Sequence, residues 1–506
     1  MNASEDIFDL IQAMNSHEKG YFRRYASFHV RGESNKYMLL FEAIAKQKKY
    51  DEKELKKLFL NESFVKQFPV AKNYLYKQVL KALRSYHNSI HSEIMDMRHN
   101  MEILLEKELY NQAGKMIKKA KQVVSKNEIL WAMPEIEGVW EIKLALANND
   151  MDWLKNIITD KTENLLILQN AEQYRDINFR MYMIYSETGK VRGQQNHKEI
   201  RKIMSMPQMK NESAALSFEA KMRFHLTYAL FADLQGNSDQ YYVYSKKIID
   251  LFKANPEKSK NYLSQLIAYY GNIIGSCMNS FRYKEATIYL NELKQLSQIT
   301  NNDALSHKLY YYVSHLTLYY FNTTGEFPNK TNSIPEIVKW LTDHYESLND
   351  IQKSVMLSNL ATAFFIQQQY HKSIFWINRA RNEISLTNYP NIQSLLRIFY
   401  LIVNYEAGKT DLLPYLIQST YRFLKKKKQL YKFESFLIDF LKKILKANST
   451  QKIQTAFRKF YAQIKPLSKD PYEKNAFEYF DYLTWLECKI ENRRFKDGVR
   501  EKAGLK

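Results

Sequence analysis

Glycine and proline are scarce in this 506-residue chain, 13 and 10 residues respectively, where average usage would supply about 60 together. Sheets need turn residues every few positions, and phosphate-cradling loops need glycine for close backbone approach. The shortage excludes most sheet enzymes and nucleotide-binding folds and predicts an almost wholly helical protein. Hydrophobic residues make up 45 % and aromatics 14 %, enough apolar surface to offset the entropy of ordering the chain. A stack of helical pairs has no single central core, so the usual limit on domain size does not apply to it.

Apolar residues recur at helical spacing nearly throughout, interrupted by short polar breaks. The breaks carry helix-ending and helix-starting chemistry: Asn149-Asp150, Gly189, Gly236-Asn237, Asn255-Pro256, Asn301-Asn302-Asp303, Gly325, Asn388-Tyr389-Pro390, Gly408 and Asn448-Ser449. Helices joined by such short loops lie antiparallel, so the structural unit is a helical hairpin. Three segments share one register. Tyr110, Ala113, Ile117 and Ala120 have the spacing of Tyr283, Ala286, Leu290 and Leu293, and of Tyr370, Ser373, Ile377 and Ala380. The small residue in each allows a close approach of paired helices, and the larger ones fill the groove beside it.

This pattern resembles the tetratricopeptide repeat, whose second helix places a small residue between an aromatic and two apolar positions. The likeness covers residues 96–447 and is degenerate: the family's Trp, Gly and closing Pro do not occur together in any unit. The resemblance implies an all-α fold, a right-handed α-solenoid of antiparallel helical hairpins, and the habit of binding proteins or peptides. Residues 1–95 read as an N-terminal helical bundle that caps the array, with Asp51 to Tyr86 equally open to a helix-turn-helix reading. Residues 448–490 read as a C-terminal helical cap, and the basic residues 491–506 as a frayed, disordered tail.

Charge is unevenly placed within a net +21. Residues 1–126 hold 23 Lys and Arg against 15 Asp and Glu, residues 127–408 hold 29 against 28, and residues 409–506 hold 23 against 11. Basic ends attract nucleic acid, anionic membrane or acidic protein without choosing among them. Cys277 and Cys488 stand alone, which excludes a disulfide framework and a Cys-based zinc site and fits a reducing compartment. The acidic start MNASEDIFDLIQAMN reads as an amphipathic helix rather than a secretory leader, and the most apolar stretch, residues 395–403, contains Arg397 and is too short to span a bilayer. A cytoplasmic location is expected.

Two groups of cations are candidate anion or nucleic-acid contacts. Lys77, Lys81 and Arg84, with Asn73, form a stripe opposite an apolar stripe of Leu75, Val79, Ala82, Leu83 and Tyr86; the same stripe is also what the solvated face of an amphipathic helix looks like. Arg422, Lys425, Lys426, Lys427, Lys428, Lys442, Lys443 and Lys446, with Lys432, form the densest positive cluster. Four consecutive lysines circle a helix, so a helix end is expected there. His87, His91 and His99 lie on one helix face, but without HExxH they do not specify a metal site. Tyr241, Tyr244, Tyr270, Tyr311 and Tyr320 are candidate partner contacts drawn from clusters that serve either helix packing or a binding face. Gly271 and Gly275 read as close helix packing.

No GxSxG, Walker-type or GxGxxG motif occurs, and the carboxylates are scattered among lysines. The sequence thus favours a non-catalytic scaffold or adaptor for a protein or peptide, with no cofactor and no metal. The alternative is a nucleic-acid-associated regulator using the basic ends; attachment to anionic membrane through the tail is a third reading.

Overall fold

The computed structural model describes residues 5–29, 34–87, 89–188, 197–300, 303–328, 334–384, 390–470, 473–478 and 480–505, and every regular element among them is helical. Of the sequence-marked breaks, Gly189, Asn301-Asn302 and Asn388-Tyr389 lie outside the described residues. The chain divides into two compact units, residues 1–164 and 165–506.

In the first unit, helices Asp6–Ala13, Ser16–His29, Ser34–Lys46, Glu52–Leu58 and Phe68–Tyr86 share one apolar cluster running from Ile7 to Ala82. Phe68, Leu75 and Val79 are fully buried on one face of the last of these helices, as its i, i+7, i+11 spacing requires. Asp51 starts Glu52–Leu58 by accepting the Glu54 backbone N–H at 3.0 Å, which satisfies a donor that a helix start otherwise leaves free. A separate cluster, Ile94 to Leu144, is built by Ile90–Glu106, Tyr110–Asn127 and residues 132–147. The core changes between Leu83 and Ile90, so residue 95, expected as a boundary, falls within helix Ile90–Glu106.

In the second unit, helix follows helix in close-packed succession: Phe218–Leu234, Ser238–Ala254, Leu263–Asn279, Tyr283–Gln295, Asp303–Thr324, then Asp350–Ile366, Tyr370–Asn382, Pro390–Glu406, Leu413–Lys426, Lys432–Leu445 and Thr450–Ile464. Asp303–Thr324 also packs on Leu263–Asn279 and on Asp350–Ile366. Helix Ile334–His344 lies between these last elements in the chain and adds Ile337 and Leu341 to the core.

The three segments of common register begin at the same kind of turn. Glu108, Phe281 and Gln368 have left-handed backbone, with φ of 57°, 58° and 60°. One residue later, Leu109, Arg282 and Gln369 donate backbone N–H groups to Leu104, Cys277 and Phe364 at 2.9, 2.8 and 2.9 Å. These bonds satisfy carbonyls that the preceding helix end leaves open. Each new helix then starts at the shared tyrosine, and Ala113, Ala286 and Ser373 are completely buried. Ser373 Oγ donates to the Ala361 carbonyl at 2.7 Å, which a small side chain at a close crossing can do.

The last residues depart from expectation. The basic segment read as a frayed tail, residues 491–506, contains helix Phe495–Lys502, with Phe495 and Val499 buried. It packs on Asp303–Thr324 and on Tyr482–Glu491. The Phe495 ring lies 5.6 Å from Phe365 and 5.3 Å from Phe480, and Arg500 pairs with Glu326 at 2.8 Å. Two apolar residues one turn apart hold it because the docking surface already exists. Gly325 makes room for this contact: its φ is +71°, and a Cβ there would come 2.9 Å from Arg500 Cγ and 3.3 Å from the Lys496 carbonyl.

Candidate partner-binding surfaces

A recess of about 970 Å³ opens in the second unit where several helix ends meet. The last turn of Asp303–Thr324 brings Phe321, with Gly325 just beyond it; the last turn of Asp350–Ile366 brings Phe364, with Gln367 just beyond it; and the start of Tyr370–Asn382 brings Lys372, Phe375 and Trp376. The terminal helix adds Lys496. Phe321, Phe364 and Trp376 are buried, while Phe375 is 55 % exposed. The Ile374, Ile377 and Ala380 stripe faces the core and leaves Phe375 off that face, so the exposure follows from helical geometry. Lys372 Nζ lies 5.4 Å from the Phe364 ring centroid. Neither Lys372 nor Lys496 has a carboxylate within ion-pair distance among the described residues, whereas Glu326, also in the lining, is held by Arg500.

The sequence-marked cations are all exposed. Lys77, Lys81 and Arg84 lie along the outer face of Phe68–Tyr86 with Asn73, opposite buried Leu75, Val79 and Ala82, and no acidic partner meets them among the described residues. Arg422, Lys425 and Lys426 belong to Leu413–Lys426, which ends there; Lys427 caps it and Lys428 takes a left-handed φ of 56°. This is the helix end that four successive lysines require. Lys442 and Lys443 close Lys432–Leu445, with Lys446 as its cap. Lys442 Nζ lies 5.6 Å from the Tyr421 ring, and none of these eight cations is ion-paired among the described residues.

The tyrosines divide. Tyr270, Tyr311 and Tyr320 are 7, 6 and 9 % exposed, so these three proposed contacts are corrected to core residues, where their large apolar bodies fill space between helices. Tyr270 keeps its hydroxyl satisfied by donating to Glu292 at 3.1 Å. Tyr241 and Tyr244 are half-buried, and Tyr244 stacks on Tyr228 with centroids 4.7 Å apart. Gly271 admits the Tyr312 ring, which would lie 2.7 Å from a Cβ at that position, whereas Gly275 faces open space.

Titratable groups that sequence spacing did not single out gather in the first unit. Residues 136–141 are π-helical, and this wider turn puts Glu137 and Glu141 together against Lys121, at 3.4 and 2.7 Å. Asn164 Nδ2 donates to both Glu137 oxygens at 3.1 Å, and Trp153 Nε1 donates to Glu141 at 3.2 Å. Burial pushes the Glu137 carboxyl above its ordinary value against the pull of Asn164 and Lys121. Burial opposes the Lys121 charge, but bonds from Glu141 and Glu137 outweigh it and raise its pKa. Long-range pairs of this kind leave no trace in residue spacing.

The histidines go separate ways. His87 contacts Glu18 at 2.5 Å, His91 stacks on Trp131, and His99 lies 3.5 Å from Glu102. Among the described residues no three His, Cys, Asp or Glu side chains are placed to hold a metal ion. Cys277 and Cys488 are buried and unpaired, and burial raises their thiols to about 12 and about 11, which suppresses the reactive thiolate. No helix among the described residues is long and apolar enough to cross a membrane.

Compared with family models, curated proteins and solved structures, the chain matches none.

Proposed function

We propose that this protein is a non-catalytic scaffold that holds a protein or peptide partner against its stacked helical hairpins, in an architecture similar to tetratricopeptide repeats. The observation that carries this reading is the aromatic recess: an exposed Phe375 beside buried Phe321, Phe364 and Trp376, at a place where turns of several helices converge. An exposed aromatic beside a concave apolar wall is the composition of a protein contact rather than of a solvated surface. The shared turn geometry before Tyr110, Tyr283 and Tyr370 supports the repeat reading. Cytoplasmic placement belongs to the same proposal, supported by two unpaired, buried cysteines. Native affinity capture with the full chain and with a Phe375→Asp bait tests it. A protein retained by the first and lost from the second is the expected result; identical recoveries would overturn the reading.

A nucleic-acid-associated role is the second reading, carried by the eight exposed cations from Arg422 to Lys446 that have no ion-pair partner among the described residues. Phosphate contacts by that many groups would make affinity fall steeply as salt rises. Titration of single- and double-stranded oligonucleotides at low and physiological salt decides it, and no binding at low salt removes it.

A further inference from the structure

We propose that the recess around Phe375 receives an extended segment of a partner protein in which an aromatic or long aliphatic side chain stands beside an acidic one. The inference rests on the partner-binding reading above and names its chemistry. The walls supply the apolar half: Phe321, Phe364 and Trp376 are buried, and Phe375 stands at the mouth. A volume of about 970 Å³ accommodates one large side chain together with its flanking backbone. The rim supplies the charged half. Its one acid, Glu326, is neutralised by Arg500 at 2.8 Å, while Lys372 and Lys496 have no carboxylate partner among the described residues. The recess therefore presents two unmatched positive charges beside apolar walls, the complement of a paired aromatic and acidic side chain.

The chain's own sequence does not offer such an occupant nearby. The five residues joining Pro328 to Ile334 are Asn-Lys-Thr-Asn-Ser, with no apolar side chain and no acid. A nucleobase is the weaker match, because stacking needs free aromatic faces along a run of cations. Here Phe321 already stacks on Phe327 with centroids 4.5 Å apart, and among the described residues two unpaired cations stand at the rim.

The test pans a random displayed 12-residue peptide library against the full-length chain at physiological salt, then measures synthetic copies of the enriched peptides by fluorescence anisotropy. Enriched sequences should place Phe, Trp or Leu within two positions of Asp or Glu. Phe375→Ala, and separately the pair Lys372→Glu and Lys496→Glu, should each weaken binding by about tenfold or more. The pair Lys442→Glu and Lys443→Glu changes net charge equally and should change affinity by less than about twofold. All these side chains except Lys496 are exposed, and circular dichroism melts are the check that each variant folds. Equal losses from both charge-reversed pairs, enriched peptides without acids, or no binder at all would overturn the proposal. Peptides that bind yet ignore every recess variant would overturn it while leaving the partner-binding reading intact. A 12-nucleotide single-stranded RNA whose binding is lost in Phe375→Ala would reassign the recess to nucleic acid.

Discussion

The two units answer their half-buried and buried acids with different partners. In residues 1–164 Glu52, Glu137 and Glu141 each meet an ammonium group beside a neutral donor: Lys72, itself 3 % exposed, meets Glu52 at 2.5 Å with Tyr50, and Lys121 serves Glu137 and Glu141 with Asn164 and Trp153. In residues 165–506 cations also serve, as Arg175 does for Glu219 at 3.0 Å, but tyrosine and tryptophan donors take a larger share. Tyr242 donates to Glu285, Tyr461 to Glu487 at 2.5 Å, and the Trp485 indole to Glu406 at 2.8 Å, where Lys489 joins it. Of the 37 tyrosines, 29 lie in this second unit, so the tyrosine excess is in good part a supply of packing bodies with hydroxyl tips. A neutral donor satisfies a carboxylate without removing a second charge from water. The comparison teaches that the contacts of Glu52, Glu137 and Glu141 should feel pH and salt more strongly than the tyrosine contacts of Glu285 and Glu487.

The largest test of the comparison removes packing alone. Phe365, 1 % exposed and in ring contact with Tyr370, Phe399, Phe480 and Phe495, should lose about 4 kcal/mol of stability on Phe365→Ala. Denaturant unfolding should show that loss equally at low and high salt. Gly498→Val should cost about 3 kcal/mol, because a Cβ at that position overlaps Cys488 Sγ and comes 2.9 Å from Thr484 Cγ2. Hydrogen exchange on this variant should show faster opening of Phe495–Lys502 while amides of Phe68–Tyr86 keep their protection.

Lys72→Met should cost about 2 kcal/mol, less than a fully buried pair because Glu52 is 28 % exposed. The same pair has a pH signature. Burial alone would raise the Glu52 carboxyl, yet bonds from Lys56, Lys72 and Tyr50 outweigh it and bring it down to about 2, from an ordinary 4.5. Its stabilisation is therefore present above 4.5 and lost as pH falls toward about 2. Denaturation between pH 5 and 2 should show a shallower acid loss in Lys72→Met than in the native chain. Glu137 has the opposite sign: its raised carboxyl makes stability decline as pH climbs above the ordinary value. The smallest effect belongs to the neutral donor. Tyr242→Phe should cost about 1 kcal/mol, nearly unchanged between 0.05 and 1 M salt because the donor removed from Glu285 is neutral, while Arg282 stays 3.4 Å from that carboxylate in both chains. A salt-dependent loss there would break the contrast between the units.

Much of the local architecture could be read from residues alone. Helix ends at Asn149, Gly236, Gly325 and Gly408 all adopt the left-handed backbone that Asn and Gly tolerate, with φ from 54° to 72°. The register of Tyr110, Tyr283 and Tyr370 was visible because helical spacing is a local property. Glu108, Phe281 and Gln368 were not legible as turn residues, since these types disfavour φ > 0 and only the packing of the flanking helices holds them there. The segment after residue 491 looked like a tail because charge dominates it and its two buried apolar residues are too few to show periodicity. The recess was hidden for the same reason: Phe321, Phe364, Phe375 and Lys496 are brought together only by tertiary structure. Its one sequence trace is Phe375, an aromatic standing off the buried stripe of its own helix.

The docking of Phe495–Lys502 sets an order of events during synthesis. Chains fold from the N-terminus as they emerge from the ribosome, so the hairpins that frame Phe375 can form while the residues supplying Phe495 and Lys496 are still to be translated. Only a chain translated through Arg500 can clasp Glu326 and place Lys496 at the recess. A chain terminated before residue 495 would carry the hairpins yet lack both Lys496 at the recess and the Arg500–Glu326 pair.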